Sequence, residues 1–493
     1  MRELNKFVST ENENLNIRNT FLIIMNLKFI DRKEELSFLE KRYNKKGFEF
    51  FVIYGRRRIG KTELIKQFIK DKNYIYLVCD KGGTERNIYR FKRKIAEYFN
   101  EPIIETNDLE EIFSYLVKKI KNKKIVIVLD EFSYLVEKDD AIPSQFQIVI
   151  DNLLKNTNIF LILCGSSISM MEKGVLSYKS ALYGRKTAHI KLEEIPFYSF
   201  YDFFPLNNIE ENIEYYAVLG GVPFYMEKFS DRKNTFDNIR EQILDKTGHL
   251  YEEIDFLLKE ELREADVYKN ILTAISSGHT KVVEIANSSG IKVHDIDKYL
   301  KVLIRLGIIK KEIPVTEVKS KKTIYSIDDN FFSFSFVFSE PFKSDLEIRE
   351  TNNVGKKLKI DFNTFLGKRF EKLIREKLVA QMGIIQLQKI GGWWGHYRDS
   401  ETKERKEIEI DIVGLNEHTG EILFGECKWK DNVDGRGVLN NLKEKSKYVE
   451  WPNKKKNRRE IYVIIAKSFK KKISEKNVYY FDLDDIEKLL KNN

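Results

Sequence analysis

Eight consecutive residues, Gly55-Arg56-Arg57-Arg58-Ile59-Gly60-Lys61-Thr62, set two glycines, a lysine and a hydroxyl at the spacing G-x-x-x-x-G-K-[ST]. That pattern suits a phosphate chain. Gly55 and Gly60 let the backbone curl so that its N–H groups face a β-phosphate at the positive end of a helix. Lys61 is then expected to reach the β- and γ-phosphates, and the Thr62 hydroxyl to ligate Mg²⁺. A second pair of groups closes an apolar run: Val126-Ile127-Val128-Leu129 is followed by Asp130-Glu131. Behind a phosphate loop, Asp130 would hold Mg²⁺ through water and Glu131 would polarise an attacking water. A third set lies far downstream. Asp411, Glu426 and Lys428, with Glu371 from a preceding helix, suit metal-assisted hydrolysis of a phosphodiester. There Asp411 and Glu426 would bind Mg²⁺, Lys428 would orient or activate water, and Glu371 could complete the metal's shell.

These groups need elements to position them. Phe50 to Tyr54 reads as a buried strand entering the loop, and Glu63 to Lys70, with Leu64, Ile65 and Phe68 at helical spacing, reads as the helix leaving it. Further apolar strands follow at Tyr74 to Cys79, Ile125 to Leu129, Ile159 to Cys164 and Ala188 to Leu192, with helical segments between them. Such alternation implies an α/β fold with a parallel sheet covered on both faces, and both acids at a strand's carboxyl end beside the phosphate loop. Ser166, just past the next strand, offers a hydroxyl at the height of a γ-phosphate, or simply opens a turn. Arg185 could give positive charge to a transferring phosphoryl group, in its own chain or on a neighbouring subunit of a homo-oligomer, or be a solvated arginine.

The 493 residues suggest about three domains, more than one phosphate-binding core can use. With 86 Lys+Arg against 76 Asp+Glu the net charge is +10, which permits a nucleic-acid partner and equally fits a lysine-rich proteome. Cys79, Cys164 and Cys427 are scattered singly, so no disulfide framework or thiolate zinc site is expected, and the chain reads as reduced and cytoplasmic. No apolar run reaches membrane-spanning length, and the first 24 residues lack signal-peptide features. Residues 1–24 are expected to be an extension with little fold of their own, with Met25 the more natural start.

Together these residues resemble the archaeal ATPase family, a branch of the AAA-like and STAND-like P-loop ATPases. The resemblance rests on Phe29-Ile30-Asp31-Arg32-Lys33-Glu34-Glu35-Leu36, the loop from Tyr54 to Thr62, Leu129-Asp130-Glu131, and Gly220-Gly221-Val222-Pro223-Phe224-Tyr225. It covers essentially everything after Met25. By itself Gly-Gly-x-Pro says only that a tight turn separates two helices. The resemblance implies more: a helical lid that puts Gly221 and Pro223 over an adenine, and hence ATP as the nucleotide. An ATPase core over residues 25–200 and a lid over 201–262 follow.

Helical patterns over Val267 to Ser277, Thr280 to Ser288 and Val293 to Leu306, then two short strands over 308–313 and 322–327, read as a winged helix within 263–339. Its second motif helix would present Lys292, His294, Asp295, Lys298 and Lys301, a face of mixed sign, so packing against the lid competes with DNA reading. Phe331 to Phe338 could be a strand or an aromatic-rich helix. Residues 340–360 read as a polar linker, followed over 361–493 by a helix from Phe362 to Met382 carrying Phe370-Glu371. A hairpin of Glu407 to Val413 and Ile422 to Trp429 then puts Glu426 and Lys428 on one face, with Cys427 turned away. This looks like the PD-(D/E)xK nuclease pattern, which the resembling family often carries at its carboxy terminus. Ile410 stands where the pattern has Pro, and Glu409 is a second acid on the face of Asp411. Lys454-Lys455-Lys456-Asn457-Arg458-Arg459 and Lys470-Lys471-Lys472, with Trp393 and Trp394, could track a nucleic-acid backbone or be solvated loops and core. Two accounts follow: ATP hydrolysis coupled to a Mg²⁺-dependent nuclease acting on DNA, or a nucleotide switch whose other domains only bind nucleic acid or protein.

Overall fold

Phe50, Phe51, Val52 and Ile53 are all fully buried, as a strand without polar alternation must be when both faces of its sheet are covered. The computed structural model describes residues 29–318, 320–398, 404–451 and 458–491. The expected extension over 1–24, the start at Met25 and Lys454 to Asn457 lie outside them. The chain divides into two compact units, one ending at Ile195 and the other beginning at Pro196.

In the first unit β1 (Glu49–Tyr54), β2 (Tyr74–Val78), β3 (Ile125–Asp130), β4 (Ile159–Gly165) and β5 (Ala188–Lys191) form an all-parallel sheet. The order is β2-β3-β4-β1-β5. Successive residues go to opposite faces. Phe50, Val52, Ile127, Leu129, Leu161 and Leu163 meet one layer, which includes the helix Leu109–Ile120. That helix starts where Asp108 accepts from the Glu111 N–H and ends among Lys118 and Lys119, both favourable to the helix dipole. Phe51, Ile53, Val126, Val128, Phe160 and Ile162 meet Leu64, Ile65 and Phe68 of the helix Lys61–Ile69. Each such buried side chain contributes on the order of 2 kcal/mol, which fixes the helix that opens at the phosphate loop.

In the second unit, the helix Ile209–Leu219 starts at a reciprocal Asn208–Glu211 capping box and stops at Gly220, whose φ is 63. Pro223 opens the next short helix, Pro223–Met226, so Gly221 sits in the tight turn between two helices. The helices Ala265–Ser276, Val282–Ser289 and Ile296–Arg305 follow, then the antiparallel ribbon of β6 (Ile309–Glu312) and β7 (Ile324–Ile327).

Phe331 to Phe338 is helical. Asp329 accepts from the Phe332 N–H, and Asn330–Phe334 passes into a wider turn over Ser335–Ser339. Phe331, Phe332, Phe334, Phe336 and Phe338 are all buried, because apolar neighbours surround this helix rather than flank one face. The expected linker is corrected. Lys343–Glu347 is helical, and a 22-residue helix, Asn352–Leu373, already buries Val354 and Leu358. Two apolar residues a turn apart were too few to reveal the period among so many lysines.

The carboxy-terminal sheet takes β8 (Lys389–Arg398), β9 (Arg405–Asn416), β10 (Glu421–Lys428), β12 (Arg459–Ala466) and β14 (Val478–Phe481) in the order β14-β12-β10-β9-β8. β8, β9 and β10 are antiparallel, whereas β10, β12 and β14 are parallel. The short β11 (Val433–Asp434) and β13 (Phe469–Lys471) pair separately. One sheet face packs on the long helix through Ile412, Leu423, Cys427 and Val463, and the other on the helix Gly435–Ser446 through Leu439 and Leu442. Trp393 belongs to that second core, and the Trp394 indole donates to the Lys322 carbonyl at 2.9 Å.

Candidate functional site

The phosphate loop runs from Gly55 to Gly60, and the helix Lys61–Ile69 opens directly from it. Gly55 has no room for a side chain: a Cβ there would lie 2.5 Å from the Leu192 carbonyl oxygen. Gly60, at φ 88, is the left-handed residue before the helix. Arg58 shares that region at φ 70. Lys61 is 6% exposed, and its ammonium donates to the carbonyls of Gly55 at 2.9 Å and Arg56 at 2.8 Å. Burial pulls its pKa below the ordinary lysine value. Arg56 pairs with Glu194 at 3.0 Å, Arg57 donates to the Tyr134 hydroxyl at 3.2 Å, and Ile59 is buried.

β4 stands between β1 and β3, so the acids at the end of β3 lie one strand away from the loop's own strand. Thr62 closes the distance. Its hydroxyl donates to Asp130 Oδ2 at 2.8 Å, and the Tyr76 hydroxyl donates to the same oxygen at 2.7 Å. Asp130 Oδ1 accepts from the Glu131 N–H at 2.9 Å. Glu131 itself has φ 54, left-handed backbone that costs a non-glycine residue about 1 kcal/mol. Its carboxylate accepts from Ser166 Oγ at 2.7 and 2.6 Å, and from the Ser166 N–H at 3.2 Å. The inserted strand thus brings Ser166 onto Glu131. The donor set suits Mg²⁺, which takes few protein ligands, a hydroxyl and a carboxylate among them, and completes its shell with phosphate and water.

Arg185 is elsewhere. Thr187, two residues on, bonds the Phe50 carbonyl at the start of β1, whereas the loop begins past Tyr54, roughly 15 Å along the strand. Its guanidinium grips Asp151 through Nε at 3.0 Å and a terminal nitrogen at 2.7 Å. With Lys155, this pairing holds the Asp151 carboxyl at about 2. Service by Arg185 at its own phosphate site is corrected by that placement.

In the carboxy-terminal domain, the β9–β10 ladder runs from Glu421–Asn416 to Gly425–Ile412 and stops. Asp411 lies just beyond, where its Oδ2 accepts from the Cys427 N–H at 2.8 Å. Glu426 is 5% exposed and accepts from Lys428 at 2.8 Å, and from Lys445 of the helix Gly435–Ser446 at 3.0 and 3.1 Å. Arg375, one turn after Glu371, donates to the Asp411 carbonyl at 3.1 Å. The helix bearing Glu371 is held to the ribbon module by Lys372–Asp328 at 2.8 Å, Lys310–Glu376 at 2.6 Å and Arg375–Glu312 at 3.6 Å. Burial, then the charges of Asp411 and Glu409, push the Glu371 carboxyl up; burial, then Glu426, does the same to Asp411.

Asp411 and Glu426 are hard oxygen donors that suit Mg²⁺. Even so, among the described residues no group of three or more His, Cys, Asp or Glu is placed together to hold a metal. Two lysines already neutralise Glu426. Sequence reasoning missed Tyr76, hidden in an apolar strand, and Lys445, one of many lysines on a polar helix. Arg375 carried a signal in its spacing of four from Glu371.

The raised Glu371 pKa has a measurable consequence. A carboxyl lifted from 4.5 to about 8 contributes stability that is complete below pH 4.5 and is lost as pH rises through about 8. Glu371→Gln removes the cost of holding a buried carboxylate charged beside other acids at high pH. Its Tm should match wild type near pH 4.5 and exceed it by a few degrees at pH 9, a difference of about 1–3 kcal/mol. Parallel melting profiles across that range would show that Glu371 is not held near other acids.

On the mixed-charge face expected to read DNA, Lys298 pairs with Asp295 at 3.7 Å and Lys301 with Asp297 at 2.6 Å, so part of its positive charge is internally balanced. Of the carboxy-terminal basic runs, Arg458 pairs with Glu460 at 2.6 Å, Arg459 with Glu421 at 2.9 Å and Lys472 with Asp482 at 2.7 Å.

A phosphate loop at the end of a parallel strand, tied through Thr62 to Asp130 and followed by Glu131, defines a P-loop ATPase. Residues 29–229 match the family described as an ATPase domain predominantly from Archaea, and residues 334–446 match one described as archaeal and bacterial proteins of unknown function. An uncharacterized protein of Methanocaldococcus jannaschii is 38% identical over 466 residues, covering 93% of this chain and 99% of its own length. The chain belongs to this archaeal P-loop ATPase family. An uncharacterized ATP-binding protein of the same organism is 22% identical over 355 residues, 62% of this chain and 93% of its own. Among solved structures, a Walker-type ATPase of Pyrococcus abyssi is 20% identical with a TM-score of 0.47, over 62% of this chain and 96% of its own. The ORC2 protein of Aeropyrum pernix is 14% identical with a TM-score of 0.46, over 66% and 96%. No helix among the described residues is long and apolar enough to cross a membrane.

Proposed function

We propose that the protein is a Mg²⁺-dependent ATPase whose nucleotide state governs a PD-(D/E)xK nuclease-like domain that acts on DNA. In the first unit Lys61 leaves two backbone carbonyls for the β- and γ-phosphates of ATP, and Thr62 with Asp130 would hold the ion, which supplies charge neutralisation at the phosphates. Glu131, oriented by Ser166, polarises the attacking water. Gly221 and Pro223 serve the adenine in this reading, an assignment that rests on family resemblance.

The observation that carries the nuclease half is the opening past the last β9–β10 pair, where Asp411 and Glu426 converge with Lys428. Asp411 and Glu426 would hold Mg²⁺, which supplies a Lewis acid for the phosphodiester. Lys428 orients water. Glu371, from the helix side, would add an acid once deprotonated. The three helices and ribbon form a winged helix whose role is to hold the Glu371 helix, in line with the ion pairs that join them.

One observation favours the second reading, a nucleotide switch whose carboxy-terminal domain only binds nucleic acid or protein: both Lys428 and Lys445 occupy Glu426. Incubating supercoiled, linear and branched DNA with the full chain and Mg²⁺ or Mn²⁺, with and without ATP, separates the two. Cleavage that Asp411→Ala abolishes supports the nuclease, and no cleavage in any lane overturns it; the switch reading then requires that nucleotide change oligomeric state or a binding equilibrium.

A further inference from the structure

We propose that Tyr76 is a positioning residue for the metal-binding carboxylate of the ATPase site, an inference that rests on the ATPase reading above. β2 is the edge strand beside β3, with Tyr76 in register with Val128. The period of two sends Ile75 and Leu77 into one core, and Tyr76 to the opposite face, against the layer that contains the helix Lys61–Ile69. From there its hydroxyl reaches Asp130 Oδ2 at 2.7 Å, the oxygen that also accepts from Thr62 at 2.8 Å.

Asp130 is 1% exposed, and its carboxylate accepts from Tyr76 and Thr62 on one oxygen and from the Glu131 N–H on the other, with the Cys164 thiol as a further partner. A terminal carboxylate torsion is otherwise broad. Donors on both oxygens set its plane, and the direction in which its remaining lone pairs face a metal-bound water follows. Thr62 cannot set this alone, because its own oxygen must turn a lone pair to the ion. Tyr76 has no such second duty. A tyrosine phenol is protonated at neutral pH, so its hydroxyl donates to Oδ2. Groups that orient a metal's ligands in this way commonly alter metal affinity ten- to a hundredfold, roughly, when removed.

Tyr76→Phe keeps the ring in its core and leaves Oδ2 its bond from Thr62, so folding should be retained. Tyr74→Phe, on an exposed position of the same strand, is the control. Binding of a fluorescent ATP analogue to the full-length proteins is measured in EDTA and across a Mg²⁺ titration, alongside ATP hydrolysis. In EDTA, Tyr76→Phe is expected to bind nucleotide as wild type does. The Mg²⁺ concentration for half of the metal-dependent gain in affinity should rise about tenfold, with a parallel shift in half-activation of hydrolysis. Tyr74→Phe should shift neither. An unchanged or lowered Mg²⁺ requirement in Tyr76→Phe overturns the proposal, as does equal weakening in EDTA, which marks a structural role alone. Wild-type protein that binds no nucleotide, or binds it without regard to Mg²⁺, overturns the ATPase reading itself and this inference with it.

Discussion

Lys61→Ala is expected to yield a folded protein that has lost about 3 kcal/mol of ATP affinity, roughly a hundredfold, and nearly all hydrolysis. The ammonium sits buried at the loop with two carbonyls as its partners. It is already desolvated, so an arriving phosphate gains a charge-assisted bond without stripping water from the lysine. Alanine removes a buried charge together with those two bonds, effects of opposite sign, so the melting temperature without nucleotide should change little. The rise in Tm that saturating ATP gives wild type should vanish. Calorimetric titration checks the affinity, and turnover equal to wild type would refute the assignment of this loop.

For Asp411→Ala the expected result is loss of DNA cleavage by about 10³-fold, equivalent to ~4 kcal/mol of transition-state stabilisation from the ion it would hold. Alanine also strips the Cys427 N–H of its acceptor, which by itself costs about 1–3 kcal/mol of stability. Asp411→Asn separates the two effects: the amide oxygen still accepts from Cys427 while the charge is gone. Asparagine should therefore restore the melting temperature but not the cleavage. It should also lower the Glu371 pKa by removing a neighbouring charge, though burial continues to raise it. Cleavage that survives in both variants would place the chemistry outside this hairpin.

The phosphate loop was legible because its chemistry is contiguous. Gly55 to Thr62 fold onto themselves, and the strand before and helix after are marked by period alone. Asp130 and Glu131 were legible for a related reason, since an apolar run ending in two acids places them at a strand's end whatever its neighbours. The hairpin of β9 and β10 showed through its alternation, which put Glu426 and Lys428 on one face. Other features carried no such signature. Tyr76 looks like any aromatic in an apolar strand, Phe331 to Phe338 fits a period-2 strand as well as an aromatic-rich helix, and the first turns of the helix Asn352–Leu373 look like linker because lysines outnumber their buried residues.

By itself the sequence determined which short segments could do chemistry: one that cradles phosphate, one that ends a strand in two acids, and one hairpin with a carboxylate and a lysine in alternation. Local backbone geometry and side-chain period suffice for that, since both act over a few residues. Tertiary structure alone decided which of them meet. Inserting β4 between β1 and β3 brings Ser166 to Glu131, edge strand β2 delivers Tyr76 to Asp130, and β5 leaves Arg185 at the far end of the sheet with Asp151. Strand order is fixed by how two helical layers bury both faces of the sheet, a sum over residues distant in the chain that no local pattern encodes.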